Sequence, residues 1–263
     1  MKIGFIGFGN MGQALGTGLI LKNVVEAEHI YVFDKYQKDI KKDFRFKGIN
    51  ICANEIELVE KVNMVIIAVK PNTVEEVIEK TKEALINKVV VSIVVNFQFD
   101  QYEKILLPGT HHISILPNIP VSVGEGAIVY ENKHSLTNDE LRGFIEVFSQ
   151  IALVEEVNTN NFDIAGTITG CGPAFASMFT EAISDAAVKH GLPRDLSYNL
   201  ISQMIVGTGK LQLDTGDHPA TIKDKVCSPG GTTIIGVTTL EKKGLRGAVI
   251  DSIDEIILKN KSS

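Results

Sequence analysis

Two glycine-rich stretches of this 263-residue chain have residue types and spacings suited to holding an anion against backbone amides. The first, Gly7-Phe8-Gly9-Asn10-Met11-Gly12, comes after an apolar run and opens a helical pattern. In such a GxGxxG turn Gly7 permits the tight turn, Gly9 lets a pyrophosphate approach the backbone, and Gly12 lets the helix pack on the strand. The helix N-terminus then offers N–H groups to the phosphates. Tyr31-Val32-Phe33-Asp34 ends a second apolar run in an acid, at the distance from Gly12 expected of a ribose-binding carboxylate. Asp34 would accept hydrogen bonds from both adenine-ribose hydroxyls and repel a 2′-phosphate, favouring NADH, whereas Lys35 and Lys38 pull towards NADPH. The expected cofactor is therefore NAD(P)H. Ala68-Val69-Lys70-Pro71 ends another apolar run, in the zone beyond strand ends where open α/β sheets bind ligands. Asn54 stands in a similar loop, as an N-cap or a cofactor contact.

The second stretch is Ser228-Pro229-Gly230-Gly231-Thr232-Thr233. Ser228 suits an N-cap and Pro229 the first helical position, which predicts a helix start with both glycines in its first turn. Glycine there costs about 1 kcal/mol each relative to alanine. A ligand pressed so close that no β-carbon is tolerated, with the uncapped N–H groups holding its carboxylate or phosphate, accounts for the cost. The β-branched run from Thr232 to Thr239 has strand propensity. Ile234, Val237 and Leu240 nevertheless recur every three residues and lead to Glu241-Lys242-Lys243-Gly244, so a helix is expected.

Other chemistry is thinly represented. His111 and His112, adjacent on a predicted strand, point to opposite faces and have no evident third ligand, so no metal site is expected. Cys52, Cys171 and Cys227 form neither a disulfide framework nor a CxxC pair and are read as reduced thiols. A net charge of −6 without a basic run excludes a nucleic-acid footprint. No stretch of about 20 uninterrupted apolar residues is present, and the expectation is a soluble cytoplasmic protein without a membrane partner.

The elements that must position these residues alternate in the first half. Strands are expected at Lys2–Ile6, His29–Phe33, Met64–Ala68, Val89–Val94 and His111–Ile115, with helices at Met11–Leu21, Thr73–Leu85 and Gln98–Leu106. Gly126–Tyr130 and Leu153–Val157 flank a helix over Thr137–Phe148. From Asn160 no strand is predicted; helices run from Pro173 to His190, closed by Gly191, and from Pro193 to about Thr215. The fold class is α/β: a Rossmann-type, mostly parallel sheet over residues 1–158, then an all-helical domain over 159–263, whose helix from Pro173 has a small-residue surface suited equally to burial between subunits and to a close helix pair within one chain.

The segment DKVCSPGGTTIIGVTTLEKKGLRGAVIDSI resembles the C-terminal signature of pyrroline-5-carboxylate reductases. Thr169-Gly170-Cys171-Gly172-Pro173-Ala174-Phe175 is similar to the family's SGSGPAY helix, Leu116-Pro117-Asn118-Ile119-Pro120 to its MPNTP, and Ala68–Pro71 to its AVKP. The resemblance implies NAD(P)H-dependent reduction of a cyclic imine to proline by a homodimer whose helical domains interlock at the active site. It implies that the backbone of Gly230, Gly231 and Thr232 holds the substrate carboxylate, that Thr233 hydrogen-bonds the imine nitrogen, and that Ser228 and Asn118 border the substrate. Ser114 stands where an arginine commonly precedes MPN, and Val95-Asn96 replaces a small Ala-Gly pair beside the nicotinamide, so that Asn96 would crowd or hydrogen-bond the cofactor. A related hydroxy-acid dehydrogenase and a non-catalytic nucleotide-binding relative are the alternatives.

Overall fold

The computed structural model describes residues 1–36, 40 and 43–261. The chain divides into two compact units, residues 1–173 and 174–263.

The first unit is built on an eight-stranded sheet: β1 (Ile3–Ile6), β2 (Ile30–Phe33), β3 (Asn50–Ile51), β4 (Met64–Ile67), β5 (Val89–Ser92), β6 (His111–Pro117), β7 (Gly126–Glu131) and β8 (Ala152–Val157). The strand order is β3-β2-β1-β4-β5-β6-β7-β8, with every neighbouring pair parallel except β6 and β7. Side chains alternate between two cores because successive residues of a strand face opposite ways. Ile3 and Phe5 of β1, with Met64 and Ile66 of β4, join one cluster; Ile6, Val65 and Ile67 join the other. Helix α1 (Asn10–Leu21) sends Ala14, Leu15 and Leu19 into the first cluster, and α5 (Asn138–Phe148) adds Phe144 and Phe148. Helix α2 (Glu55–Lys61) sends Leu58 and Val59, and α3 (Val74–Thr81) sends Val74, Val77 and Ile78, into the second. Each such side chain stabilises the fold by about 1.5–3 kcal/mol when fully buried. The sheet is therefore doubly wound, as the alternation implied.

Two expected helices are shorter than their apolar pattern. The Thr73–Leu85 helix is α3 alone, because the chain leaves it through turns that end at Asn87 in left-handed backbone (φ 62°). Leu85 is still fully buried, so the periodicity reported burial beyond the helix. The Gln98–Leu106 helix is reduced to α4 (Phe99–Tyr102) with a capping box between Gln98 and Gln101.

After β8 the described residues are helical. Helix α6 (Thr159–Lys189) starts well before the expected Pro173, which lies inside it. Proline lacks the N–H that would bond the carbonyl four residues earlier, that of Thr169. The Asn118 side chain supplies the missing donor: its Nδ2 lies 3.1 Å from the Thr169 carbonyl oxygen, while its Oδ1 accepts the Ala127 N–H. A side chain from another element thus mends the α6 ladder and lets the helix run through Pro173. The second unit continues with α7 (Arg194–Thr215), α8 (Pro219–Val226), α9 (Thr232–Lys242) and α10 (Leu245–Lys261). Gly191, in left-handed backbone, closes α6, and a buried Ser184–Ser197 hydrogen bond, with Arg194 donating to Ser184, ties α6 to α7.

Candidate active site

Register gathers the sequence-predicted nucleotide residues along one sheet edge. Ile6 pairs with Phe33 and with Ile67, and Ile67 pairs with Ser92, so β1, β2, β4 and β5 end level. The segments that leave this edge are Gly7–Gly12, Asp34, Ala68–Pro71 and the loop carrying Asn96; Asn54 comes after β3 on the same side.

The three glycines differ in what they permit. Gly7 has a φ of +86°, and a β-carbon there would sit 2.6 Å from the Ala68 carbonyl oxygen. Both the turn and the approach of β4 require its hydrogen. A β-carbon on Gly12 would come within 3.1 Å of the Gly7 carbonyl oxygen, so helix and turn pack closely. Gly9, the N-cap of α1, faces open space: nothing lies within 4 Å of a β-carbon built on it. Helix α1 has no side-chain cap and no acidic residue in its first turn. An open glycine face before an uncapped helix fits a pyrophosphate, which brings acceptors to the orphan N–H groups.

Around that cradle the side chains have separate duties. The Phe8 ring is fully buried, edge-on to Phe5 and Phe46, so Phe8 meets a nucleotide only through its backbone. Its N–H donates to Asp34 Oδ2 at 2.6 Å, which ties the glycine turn to the end of β2. Met11 packs against the core and Asn10 is exposed. Asn54 is the N-cap of α2, its Oδ1 accepting the Glu57 N–H at 2.9 Å. Ala68 and Val69 pack against the two cores, Lys70 is exposed, and Pro71 opens a single 3-10 turn. Asn96 is exposed in left-handed backbone (φ 60°), its carbonyl accepting from the Gln101 side chain. The glycine implied there by the resemblance would take this conformation freely, and asparagine is the side-chain residue best suited to it. Lys38 lies outside the described residues.

In the second unit the Ser228–Thr233 stretch folds differently from the expected helix start. Helix α9 begins at Thr232 with Gly231 as N-cap, and Ser228 and Pro229 precede it in a turn closed by the Gly231 N–H to the Ser228 carbonyl at 3.0 Å. Gly230 has a φ of +70°, the left-handed third position that a Pro-Gly turn of type II demands. A β-carbon on Gly231 would stand 2.5 Å from Ser228 Oγ. Ser228 is therefore not the N-cap, neither glycine lies in the helix, and turn geometry accounts for Gly230 before any ligand is invoked. The Pro-Gly pair is the signal for this turn in the sequence. The start of α9 has no side-chain cap and no acid in its first turn. The exposed Thr232 and Thr233 hydroxyls there have no hydrogen-bond partner among the described residues. The threonine-rich run is helical, with Thr238 and Thr239 bonding back to the Ile235 carbonyl.

The Asn118 side chain, expected beside substrate, donates to the Thr169 carbonyl and accepts the Ala127 N–H. The two histidines take separate carboxylates, His111 with Glu140 and His112 with Glu103, each at 2.7 Å. Burial pushes the His112 imidazole below its ordinary pKa against the opposing pull of Glu103. Ser114 is buried in β6 with its hydroxyl unpartnered. Among the described residues one group, the exposed Glu26 and Glu28 with the half-buried His29, has metal-ligand proximity, and no second observation supports a site there.

Known proteins are similar to this chain in sequence and in fold. Residues 159–263 match the family described as "Pyrroline-5-carboxylate reductase dimerisation", and residues 2–96 match "NADP oxidoreductase coenzyme F420-dependent". The chain is 40% identical to the pyrroline-5-carboxylate reductase of Treponema pallidum, over 96% of this chain and 97% of that protein. It is 34% identical to the Escherichia coli K12 protein of the same name, over 98% and 97%. Among solved structures, the Plasmodium falciparum pyrroline carboxylate reductase with NADP bound superposes with a TM-score of 0.87 at 29% identity, covering 100% of this chain and 97% of that one. The Coxiella burnetii pyrroline-5-carboxylate reductase gives 0.85 at 27%, covering 99% and 97%.

Proposed function

Because the chain belongs to the pyrroline-5-carboxylate reductase family, we propose how its residues divide the work of that reaction. The protein is an NAD(P)H-dependent oxidoreductase acting on the CH–NH group, reducing the C=N bond of 1-pyrroline-5-carboxylate to give L-proline. When bound, the nucleotide supplies the hydride for the imine carbon.

In this reading residues 1–158 are the dinucleotide domain. Gly7–Gly12 cradle the pyrophosphate, Asp34 takes the adenine ribose, and Asn54, Ala68-Val69-Lys70-Pro71 and Asn96 border the nucleotide along the same edge. Residues 159–263 bind substrate and dimerise. The backbone N–H groups of Gly230 and Thr232 hold the ring carboxylate, while the Gly231 N–H stays on the Ser228 carbonyl and closes the turn beneath it. Thr233 Oγ1 hydrogen-bonds the ring nitrogen and keeps the imine in its electrophilic, protonated or hydrogen-bonded form. No side-chain nucleophile is needed, so rate comes from orientation and from the positive end of α9. Asn118 serves by carrying α6 through Pro173. The observation that carries the substrate half is the uncapped start of α9, with two unpartnered threonine hydroxyls behind a left-handed glycine.

The dimerisation match supports a homo-oligomer, with the dimer as its unit. Helix α7 buries only Ser197 and Ile201, α9 buries nothing, and Met178, Leu213 and Ile235 are all more than 60% exposed. So much apolar surface on helices calls for a partner. No described helix is long and apolar enough to cross a membrane. Cytoplasmic location is our reading, in keeping with three free cysteines.

The purified chain incubated with the cyclic imine and either nucleotide is expected to oxidise the nucleotide and form proline in equal amounts. Nucleotide binding without imine-dependent oxidation of NADH or NADPH would sink the proposal.

A further inference from the structure

We infer that Gln101 is a positioning residue for the nicotinamide, holding Asn96 in the left-handed backbone that the reduced nucleotide meets beyond the end of β5. The inference rests on the nucleotide-binding reading of the first unit, in which Val95 and Asn96 border that ring.

Left-handed backbone is uncommon for a residue with a side chain, and Asn96 adopts it at a φ of 60°. Gln101, in α4, reaches back to it with both ends of its amide. Its Nε2 donates to the Asn96 carbonyl at 3.1 Å, and its Oε1 accepts the Gln98 N–H at 2.6 Å. One side chain therefore fixes the peptide planes on both sides of Phe97, and with them the turn that presents Asn96.

Other contacts place Gln101 itself. The Phe97 ring packs edge-on to Tyr102 with centroids 4.7 Å apart. The Tyr102 hydroxyl lies 2.8 Å from Ser92 Oγ at the end of β5, and that oxygen also accepts the Val94 N–H. At the start of α4 the Phe99 N–H donates to Oε2 of Glu131, a β7 side chain 1% exposed whose Oε1 accepts from the Thr159 hydroxyl. Gln98 Nε2 donates to Asp163 Oδ1 in α6 at 2.6 Å. Helix α4 is thus tied to β5, β7 and α6, while Val95 and Asn96 stand exposed between the ties. A short segment fixed at both ends and open in the middle is pre-organised, and loosening it weakens the part of a ligand that touches it.

The test compares three ligands on the full chain by titration calorimetry: NADH, NADPH and ADP-ribose, which lacks the nicotinamide. Gln101→Glu keeps an oxygen for the Gln98 N–H but brings no donor to the Asn96 carbonyl. It is expected to weaken both reduced nucleotides about 3- to 10-fold and to leave ADP-ribose within about twofold of wild type, a comparison that also absorbs the added charge. Gln101→Ala removes both bonds and is expected to follow the same pattern. Glycine takes left-handed backbone without help, so in an Asn96→Gly background Gln101→Glu is expected to cost about twofold or less. Equal losses for all three ligands would make Gln101 part of the scaffold and overturn the inference. Unchanged affinity for the reduced nucleotides, or a loss undiminished in the Asn96→Gly background, would overturn it too. A wild-type chain that binds none of the three sinks the nucleotide reading and this inference with it. Nucleotide binding without imine turnover sinks the reductase proposal alone.

Discussion

At Gly230 and Gly231 the absence of a side chain has two different causes. Gly230 needs left-handed backbone, and Gly231 cannot take a β-carbon without moving Ser228. Alanine at Gly230 costs about 1–2 kcal/mol of local strain. Because the turn sets the start of α9, Gly230→Ala is expected to raise KM for the imine severalfold while leaving the nucleotide dissociation constant unchanged, as calorimetry beside steady-state kinetics would show. His112 supports a prediction in pH. It is 1% exposed, with Nδ1 unpartnered, and burial depresses its folded pKa below the ordinary 6.5. The unfolded chain therefore binds the proton first. The stability contributed by neutral His112 is complete above pH 6.5 and is lost as pH falls through the lower folded value. Melting temperatures measured from about pH 7.5 to about pH 5 are expected to fall more steeply in the wild type than in His112→Asn.

At the scale of elements, the sheet is legible in the sequence because its strands are short apolar runs punctuated by turn residues, and the glycine turn and Asp34 fall where strand ends put them. Where expectation and structure part, a partner distant in sequence or a backbone conformation decides the outcome. Pro173 signals a helix start in isolation, and only Asn118, 55 positions earlier, makes it an interior residue. The turn at Ser228–Gly231 reads as helix because an N-cap serine before a proline suits both structures; the left-handed glycine separates them. The mended helix predicts a double-mutant cycle. Asn118→Ala leaves the Thr169 carbonyl unpaired and is expected to cost about 1–3 kcal/mol in denaturant unfolding. Pro173→Ala restores a backbone donor to that carbonyl, so the Asn118→Ala loss should be markedly smaller in the Pro173→Ala background. Equal losses in the two backgrounds would mean that Asn118 acts elsewhere.

Across the whole molecule the proposed reading gives the two compact units different halves of the chemistry, a nucleotide cradle in one and an anion-binding helix start in the other. The apolar faces of the helical unit predict what assembly contributes. Leu213→Asp, at the most exposed of its large apolar residues, is expected to shift the homo-oligomer towards monomer in light scattering. Imine turnover should fall with the oligomer while nucleotide binding persists, since the cradle belongs to the first unit. The division of labour itself is tested most directly by Thr233→Ala, assayed for imine turnover and for nucleotide affinity on the same preparation. The account predicts a loss of about 10- to 100-fold in kcat/KM for the imine with the nucleotide dissociation constant unchanged. Wild-type turnover in that variant, or nucleotide affinity falling in step with turnover, would contradict it.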